Sequence, residues 1–284
     1  MNNYLNAFLR SIIEAITEFL PVSSTGHLYL FTNYFPFRGL GDNAGNLDDL
    51  FDIFIQSGAI LSVLVLYFAY LKNKVLLSFQ YVKKETEDKS GLFFLLSVAV
   101  GSLPIMAIGF LVRKYLDVLK SQSYLLLLLG LAWLIGGIGI LLAEKLFSKS
   151  TEEIENSAGP TLKQSAFIGL FQCIALIPGV SRSAATIISA RSLGLSKKDS
   201  AEYSFFLAMP VLIAASLYKL YKYRDILHGE NLLLLLFGTF FSFVFCLAII
   251  KWFLAYIKKH DFSLFGYYRI ILGGIVITLY LLKS

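Results

Sequence analysis

Charge is what this chain has least of. Only 15% of its 284 residues are Asp, Glu, Lys or Arg, against about 25% in a soluble domain. Hydrophobic residues make up 57%, and several apolar runs approach the roughly 20 residues that a helix needs to cross a bilayer. A soluble globular domain is excluded, and an integral membrane protein is implied. Two cysteines, Cys173 and Cys246, both in apolar segments, exclude a disulfide framework and any cysteine-rich metal spacing. Met1 to Leu20 lacks a basic leader and a small-residue cleavage site, so the first segment is expected to stay in the mature protein. The net charge of +6 is read as loop topology rather than nucleic-acid binding, because the Lys and Arg residues sit mainly between apolar runs.

Six runs read as full spans, at about 50–71, 91–112, 123–146, 200–221, 231–257 and 266–282. Between them lie polar connectors, Lys72 to Ser90 among them. The most loop-like connector, with Thr151, Glu152, Glu153, Glu155, Gly159 and Pro160, divides the single membrane domain into residues 1–150 and 151–284. Two apolar segments do not fit as spans. One, about 4–35, breaks at Pro21-Val-Ser-Ser-Thr-Gly. The other, about 162–190, breaks at Pro178-Gly179. Each reads as a helix-break-helix hairpin that enters the membrane and returns on the same side. Irregular backbone at that depth must be buried in protein or line a cavity, so the two breaks are expected to face each other.

Sliding the chain by about 158 residues superposes the breaks. Glu14 falls on Gln172, Val22 on Val180, Ser23 on Ser181 and Ser24 on Arg182. Each hairpin precedes three spans, an odd number, so the halves should enter from opposite faces. The expected fold is all-α with an inverted-topology repeat and a site near the midplane. With the N-terminal side outside, 13 basic residues fall inside and 8 outside, a weak vote for that orientation.

Ionisable groups at membrane depth are costly and therefore functional candidates. Glu14 and Glu18 lie one helical turn apart on one face. Paired carboxylates in an apolar setting call for a cation, and oxygen ligands next to phosphate suit Mg²⁺, with Ca²⁺ the other choice. Ser23, Ser24 and Thr25 follow the Pro21 break and can cap the second half-helix, whose N-terminus also suits phosphate. His27, three residues after Ser24, could serve as its general base or attack directly. In the second break Arg182 offers a planar fork for phosphate, with Ser181, Ser183 and Thr186 as supporting hydroxyls. Gln56 either lines the cavity or bridges two helices. Arg191 reads as a snorkelling helix-end residue. His228 and His260 read as solvated, and Gly136, Gly137, Gly139, Gly273 and Gly274 as small-residue packing faces.

Glu-x-x-x-Glu-Phe-Leu-Pro-Val-Ser-Ser-Thr-Gly-His at 14–27 and Pro-Gly-Val-Ser-Arg-Ser-x-x-Thr at 178–186 resemble the two signature motifs of the bacterial undecaprenyl-diphosphate phosphatase, or bacitracin-resistance, family. The resemblance extends to Phe54-Ile-Gln-Ser-Gly-Ala-Ile and Ser204-Phe-Phe-Leu-Ala-Met-Pro. It implies a bacterial inner-membrane enzyme that converts undecaprenyl diphosphate to undecaprenyl phosphate, the lipid carrier for envelope polymers, with a site open to the outer face. It also implies that Glu14 and Glu18 are the metal-associated acids, that Ser24 and His27 are the candidate nucleophile and base, and that Arg182 binds phosphate. Members of the family are often homodimers. The rival reading is a polyprenyl-phosphate lipid flippase or secondary transporter, since inverted repeats with broken helices also build carriers. The cluster of Glu18, Ser24 and His27 separates the two, because a carrier has no need of it.

Overall fold

The computed structural model describes residues 2–37, 44–120, 122–147 and 159–283, with the main chain alone at Ala44, Asp117, Lys120 and Lys283. The connector residues Thr151, Glu152, Glu153 and Glu155, and the basic residues Arg38 and Lys149, lie outside them.

The described chain is helical, and no strand occurs among the described residues. The first hairpin region is α1 (Asn3–Thr17), a break, and α2 (Ser24–Tyr34). Then come α3 (Ala44–Leu66), α4 (Phe68–Val82), α5 (Ser90–Lys120) and α6 (Leu125–Phe147). The second region is α7 (Leu162–Gln172), a 3₁₀ turn at Cys173–Leu176, a break, and α8 (Arg182–Ser192). The chain ends in α9 (Lys197–Lys222), α10 (Gly229–Lys259) and α11 (Ser263–Lys283). Among the described residues, α3, α5, α6, α9, α10 and α11 are long and apolar enough to cross a membrane.

Sequence chemistry sets the helix starts. The Asn2 side chain accepts the Tyr4 N–H at 2.9 Å. Thr161 and Gln164 form a capping box on α7. The Ser181 and Ser196 hydroxyls accept the N–H groups of Ala184 and Asp199.

The six spans overlap the apolar runs: α5, α9, α10 and α11 extend beyond both expected ends, α6 starts two residues late, and α3 starts early but stops at Leu66, short of the expected residue 71. The main departure is the connector read at Lys72 to Ser90. Most of it is helical, because Phe68–Val82 holds no Gly or Pro and its lysines are good helix formers. Helix α4 then packs on α5 so closely that a Cβ at Gly91 would collide with the Lys74 carbonyl.

Helices α6 and α11 pack along their length, as do α3 with α10, α1 with α10, and α5 with α7. Small residues permit the α6–α11 contact. A Cβ at Gly137 or Gly273 would run into the facing backbone at Gly266 or Gly130. Gly139 and Gly274, read as part of the same faces, meet nothing within 4 Å. The largest apolar core joins Phe19, Leu20 and Val22 of the first break to Ala184 and Ile187 of α8, Phe205 of α9 and Phe253 of α10. Burying apolar side chains contributes about 25 cal/mol per Å² of area. That core therefore clamps both breaks between the spans.

Candidate active site

The two breaks meet. Ser183 Oγ donates to the Leu20 carbonyl at 2.7 Å, across 163 residues of sequence. Ser181 Oγ accepts the Ala184 N–H and, because the Ser183 proton is already committed, donates to Ser183 Oγ at 2.9 Å. Thr186 Oγ1 donates to Ser204 Oγ at 2.7 Å. These three hydroxyls are buried and spent on fixing α8 against the first break and α9.

Glu18 is the hub of the site. Its Oε2 accepts the Ser24 hydroxyl at 2.6 Å, and its Oε1 accepts Arg182 Nη2 at 3.0 Å. Arg182 Nη1 is fixed on the Ser204 carbonyl at 3.0 Å, while its Nε is buried without a partner. One carboxylate thus joins a hydroxyl from the first break to a guanidinium from the second, with the ion pair mostly shielded from solvent. In low dielectric such a charge-assisted bond is strong and holds all three groups in place. Glu14 lies behind it, fully buried, with both carboxylate oxygens unpartnered.

These groups edge a cavity of about 680 Å³. Ser23, Ser24 and Thr25 at the start of α2, and Val180, Ser181 and Arg182 at the start of α8, line it together. Two helix N-termini therefore converge on one space, a setting that favours an anion. Gln56 lines the same space. The aspartates that also line it are paired. Asp48 lies 2.6 Å from Arg10, Asp52 3.3 Å from Arg10, and Asp49 2.7 Å from Lys219. A second cavity of about 460 Å³ shares Thr25, Ile53, Ile105, Ala175 and Val180 with the first and continues along Gly109, Val211, Ala214 and Ala215. Its walls are mainly apolar.

A family model described as bacitracin resistance protein BacA matches residues 7–275. The chain belongs to that family. Among its relatives are proteins named undecaprenyl-diphosphatase. The one from Leptospira interrogans serogroup Icterohaemorrhagiae serovar copenhageni is 57% identical, covering 98% of this chain and 99% of the relative. That from Leptospira biflexa serovar Patoc is 54% identical, covering 98% of both chains. That from Bdellovibrio bacteriovorus is 38% identical, covering 98% of this chain and 96% of the relative. The site lies inside the matched range.

Three expectations need correction. Ser24 and His27 do not pair: the Ser24 proton goes to Glu18, and the imidazole turns to the other side of α2. There His27 Nδ1 lies 2.7 Å from the Ser23 carbonyl and Nε2 lies 2.7 Å from the Tyr268 hydroxyl. Ser23 occupies the N-cap position at φ 74°, and its side chain makes no cap bond. Arg191 does not snorkel. It is buried, with Nη1 on the Leu195 carbonyl at 2.9 Å.

Sequence reading passed over Arg269 and Arg10. Arg269, fully buried in α11, donates to the carbonyls of Pro21, Ala132 and Gly179, so it grips both breaks. Arg10, also fully buried, holds Asp48 and Asp52 at the cavity wall. The available signal was the one used for Glu14 and Glu18, a charge inside an apolar helix.

Proposed function

We propose that this chain is a membrane phosphatase that hydrolyses undecaprenyl diphosphate to undecaprenyl phosphate and inorganic phosphate. One observation carries the chemistry: Glu18 bridges the Ser24 hydroxyl and the Arg182 guanidinium at the edge of a polar cavity that runs into an apolar one. The diphosphate fits the polar space and the isoprenoid chain the apolar one.

Ser24 Oγ attacks the terminal phosphorus as Glu18 takes its proton, and the bond from that phosphorus to the bridging oxygen breaks. Undecaprenyl phosphate leaves with the bridging oxygen. Water then attacks the phosphoserine, releasing phosphate and restoring the hydroxyl, and Glu18 returns the proton. Arg182, positioned by the Ser204 carbonyl, has Nε available for a phosphoryl oxygen and balances the charge that builds there. The positive ends of α2 and α8 add to that field.

A divalent cation suits the site. Glu14 has both oxygens buried and unpartnered, next to a second carboxylate, and once ionised it can only accept, as a metal ligand must. Among the described residues no cluster of three ligating side chains exists, so the remaining ligands would come from the diphosphate and water, as Mg²⁺ prefers. Glu14 and Glu18 would hold the ion, which offsets diphosphate charge when bound.

The fold reading behind this is an inverted repeat of two re-entrant hairpins, each followed by three spans. The contact pattern supports it. Exchanging α1, α3, α5 and α6 for α7, α9, α10 and α11 turns the α1–α10 contact into α7–α5, and α3–α10 into α9–α5, all four of which occur. Helix α4 is an addition with no counterpart in the second half. The enzyme is read in the bacterial inner membrane with the site facing outward. Buried Arg191 and Lys219 drop out of the basic-residue count, one from each side, and the bias stands without them.

The test is phosphate release from undecaprenyl diphosphate by the purified chain in detergent, where transport between leaflets cannot occur. Release that stops with chelator and returns with Mg²⁺ is expected. Lipid translocation in vesicles with no release in detergent would assign the site to a flippase instead.

A further inference from the structure

Three consecutive carbonyls of the first break each accept a side-chain N–H. Arg269 Nη1 lies 3.2 Å from Pro21 O, Trp133 Nε1 2.9 Å from Val22 O, and His27 Nδ1 2.7 Å from Ser23 O. A trans peptide unit points its C=O and the following N–H in opposite directions. Holding these carbonyls with donors from α11, α6 and α2 therefore fixes the orientation of the peptide units that lead into Ser24. The restraint matters because Ser23 sits at φ 74°, a conformation that a serine keeps only when its surroundings impose it.

The third donor needs a tautomer. A carbonyl cannot donate, so His27 Nδ1 carries the proton, and in the neutral ring Nε2 accepts. Its partner is the Tyr268 hydroxyl at 2.7 Å. The Tyr268 ring lies nearly parallel to the imidazole, with centroids 5.7 Å apart and planes at 11°. Trp133 closes the opposite edge of the imidazole. Arg269 follows Tyr268 on α11, so the donor to the Pro21 carbonyl and the partner of His27 come from adjacent residues. Neither Tyr268 nor Arg269 lines either cavity. Their influence on the reaction must pass through the backbone of the break.

We propose that Tyr268 is a positioning residue for turnover. Its hydroxyl holds His27 as the Nδ1–H tautomer, His27 holds the Ser23 carbonyl, and that carbonyl sets the backbone from which Ser24 reaches Glu18. His27 is on this account a second positioning residue. The proposal rests on the phosphatase reading above.

The test compares the full chain with Tyr268→Phe in detergent micelles, using ¹⁵N-labelled histidine. The chain has three histidines, and His27→Ala identifies the His27 signals. Tyr268→Phe keeps the ring and removes the donor. Tyr268 is 44% exposed, so the substitution leaves the core intact, and thermal melting checks this. The wild type should show Nδ1 protonated and Nε2 bare, and the variant should show a mixture of tautomers. The kcat should fall about tenfold, as displaced reacting groups do, with KM within about twofold. Wild-type His27 protonated on Nε2 overturns the proposal. So does an unchanged kcat in Tyr268→Phe, or a fall in kcat with the His27 tautomer unaltered. A wild type that releases no phosphate sinks the phosphatase reading instead, and the tautomer comparison can still be read.

Discussion

Ser24 Oγ lies 2.6 Å from Glu18 Oε2, although the two residues stand on opposite sides of the Pro21 break. A hydroxyl that close to a carboxylate already shares its proton along the path that deprotonation would take. On the proposed phosphatase reading, Glu18 rather than His27 would be the base. Glu18→Gln keeps the size and removes the basicity. Phosphate release by Glu18→Gln and by Ser24→Ala should each fall by about three orders of magnitude or more, and the double variant should be little worse than either, as groups acting as one unit behave. A Glu18→Gln enzyme retaining a tenth of wild-type kcat would rule out the base role.

Glu14 makes a different prediction, because it has no partner of its own. If it serves the cation, Glu14→Gln should leave the fold intact and raise the Mg²⁺ concentration for half-maximal rate by about tenfold, equivalent to about 1.4 kcal/mol of binding. Titrating Mg²⁺ into chelator-stripped enzyme measures this. An unchanged Mg²⁺ curve with lower kcat would move Glu14 out of cation binding and into support of Glu18.

Much of this arrangement was legible in the sequence, for a physical reason. Lipid offers polar groups no solvation, so Glu14, Glu18, Arg182 and the serines beside them had to turn into the protein, away from lipid. That argument leads to two facing breaks, and the bond from Ser183 to the Leu20 carbonyl joins them. What the sequence concealed was direction. Spacing puts His27 one turn from Ser24 but does not say that the imidazole rotates to the other side, where Trp133 and Tyr268 receive it. Nor does it say which hydroxyls are spent on structure, as Ser181, Ser183 and Thr186 are. Arg269 was readable as a charge in a span, but its partners are backbone carbonyls from three distant segments, which leave no mark in the residue types.

The apolar cavity gives a prediction about chain length. Ala214 and Ala215 line it on α9, away from Glu18 and Arg182. Filling it with Ala214→Phe should raise KM for the long-chain diphosphate while leaving a short-chain diphosphate nearly unaffected, because only the long chain occupies that space. Each displaced methylene is worth about 0.8 kcal/mol, so three or four lost from the groove correspond to roughly a hundredfold in KM. Parallel kinetics on long and short substrates read the difference. Equal effects on both would place the tail elsewhere.

Two glycines on α6 test whether Arg269 shapes the site from behind. A Cβ at Gly136 would overlap the Arg269 guanidinium, whereas a Cβ at Gly139 meets nothing within 4 Å. Arg269 cannot move aside cheaply, since its donors are committed to carbonyls of both breaks and it is fully buried. Gly136→Ala should therefore lower the melting temperature in detergent, in line with an overpacking cost of about 1–3 kcal/mol. It should also lower kcat in the fraction that remains folded, because the displaced guanidinium releases the Pro21 carbonyl and loosens the backbone ahead of Ser24. Gly139→Ala, with the same gain in helix propensity and no collision, should melt at or slightly above wild type with normal turnover. If the two variants behave alike, the crowding at Arg269 is not what holds the breaks in register.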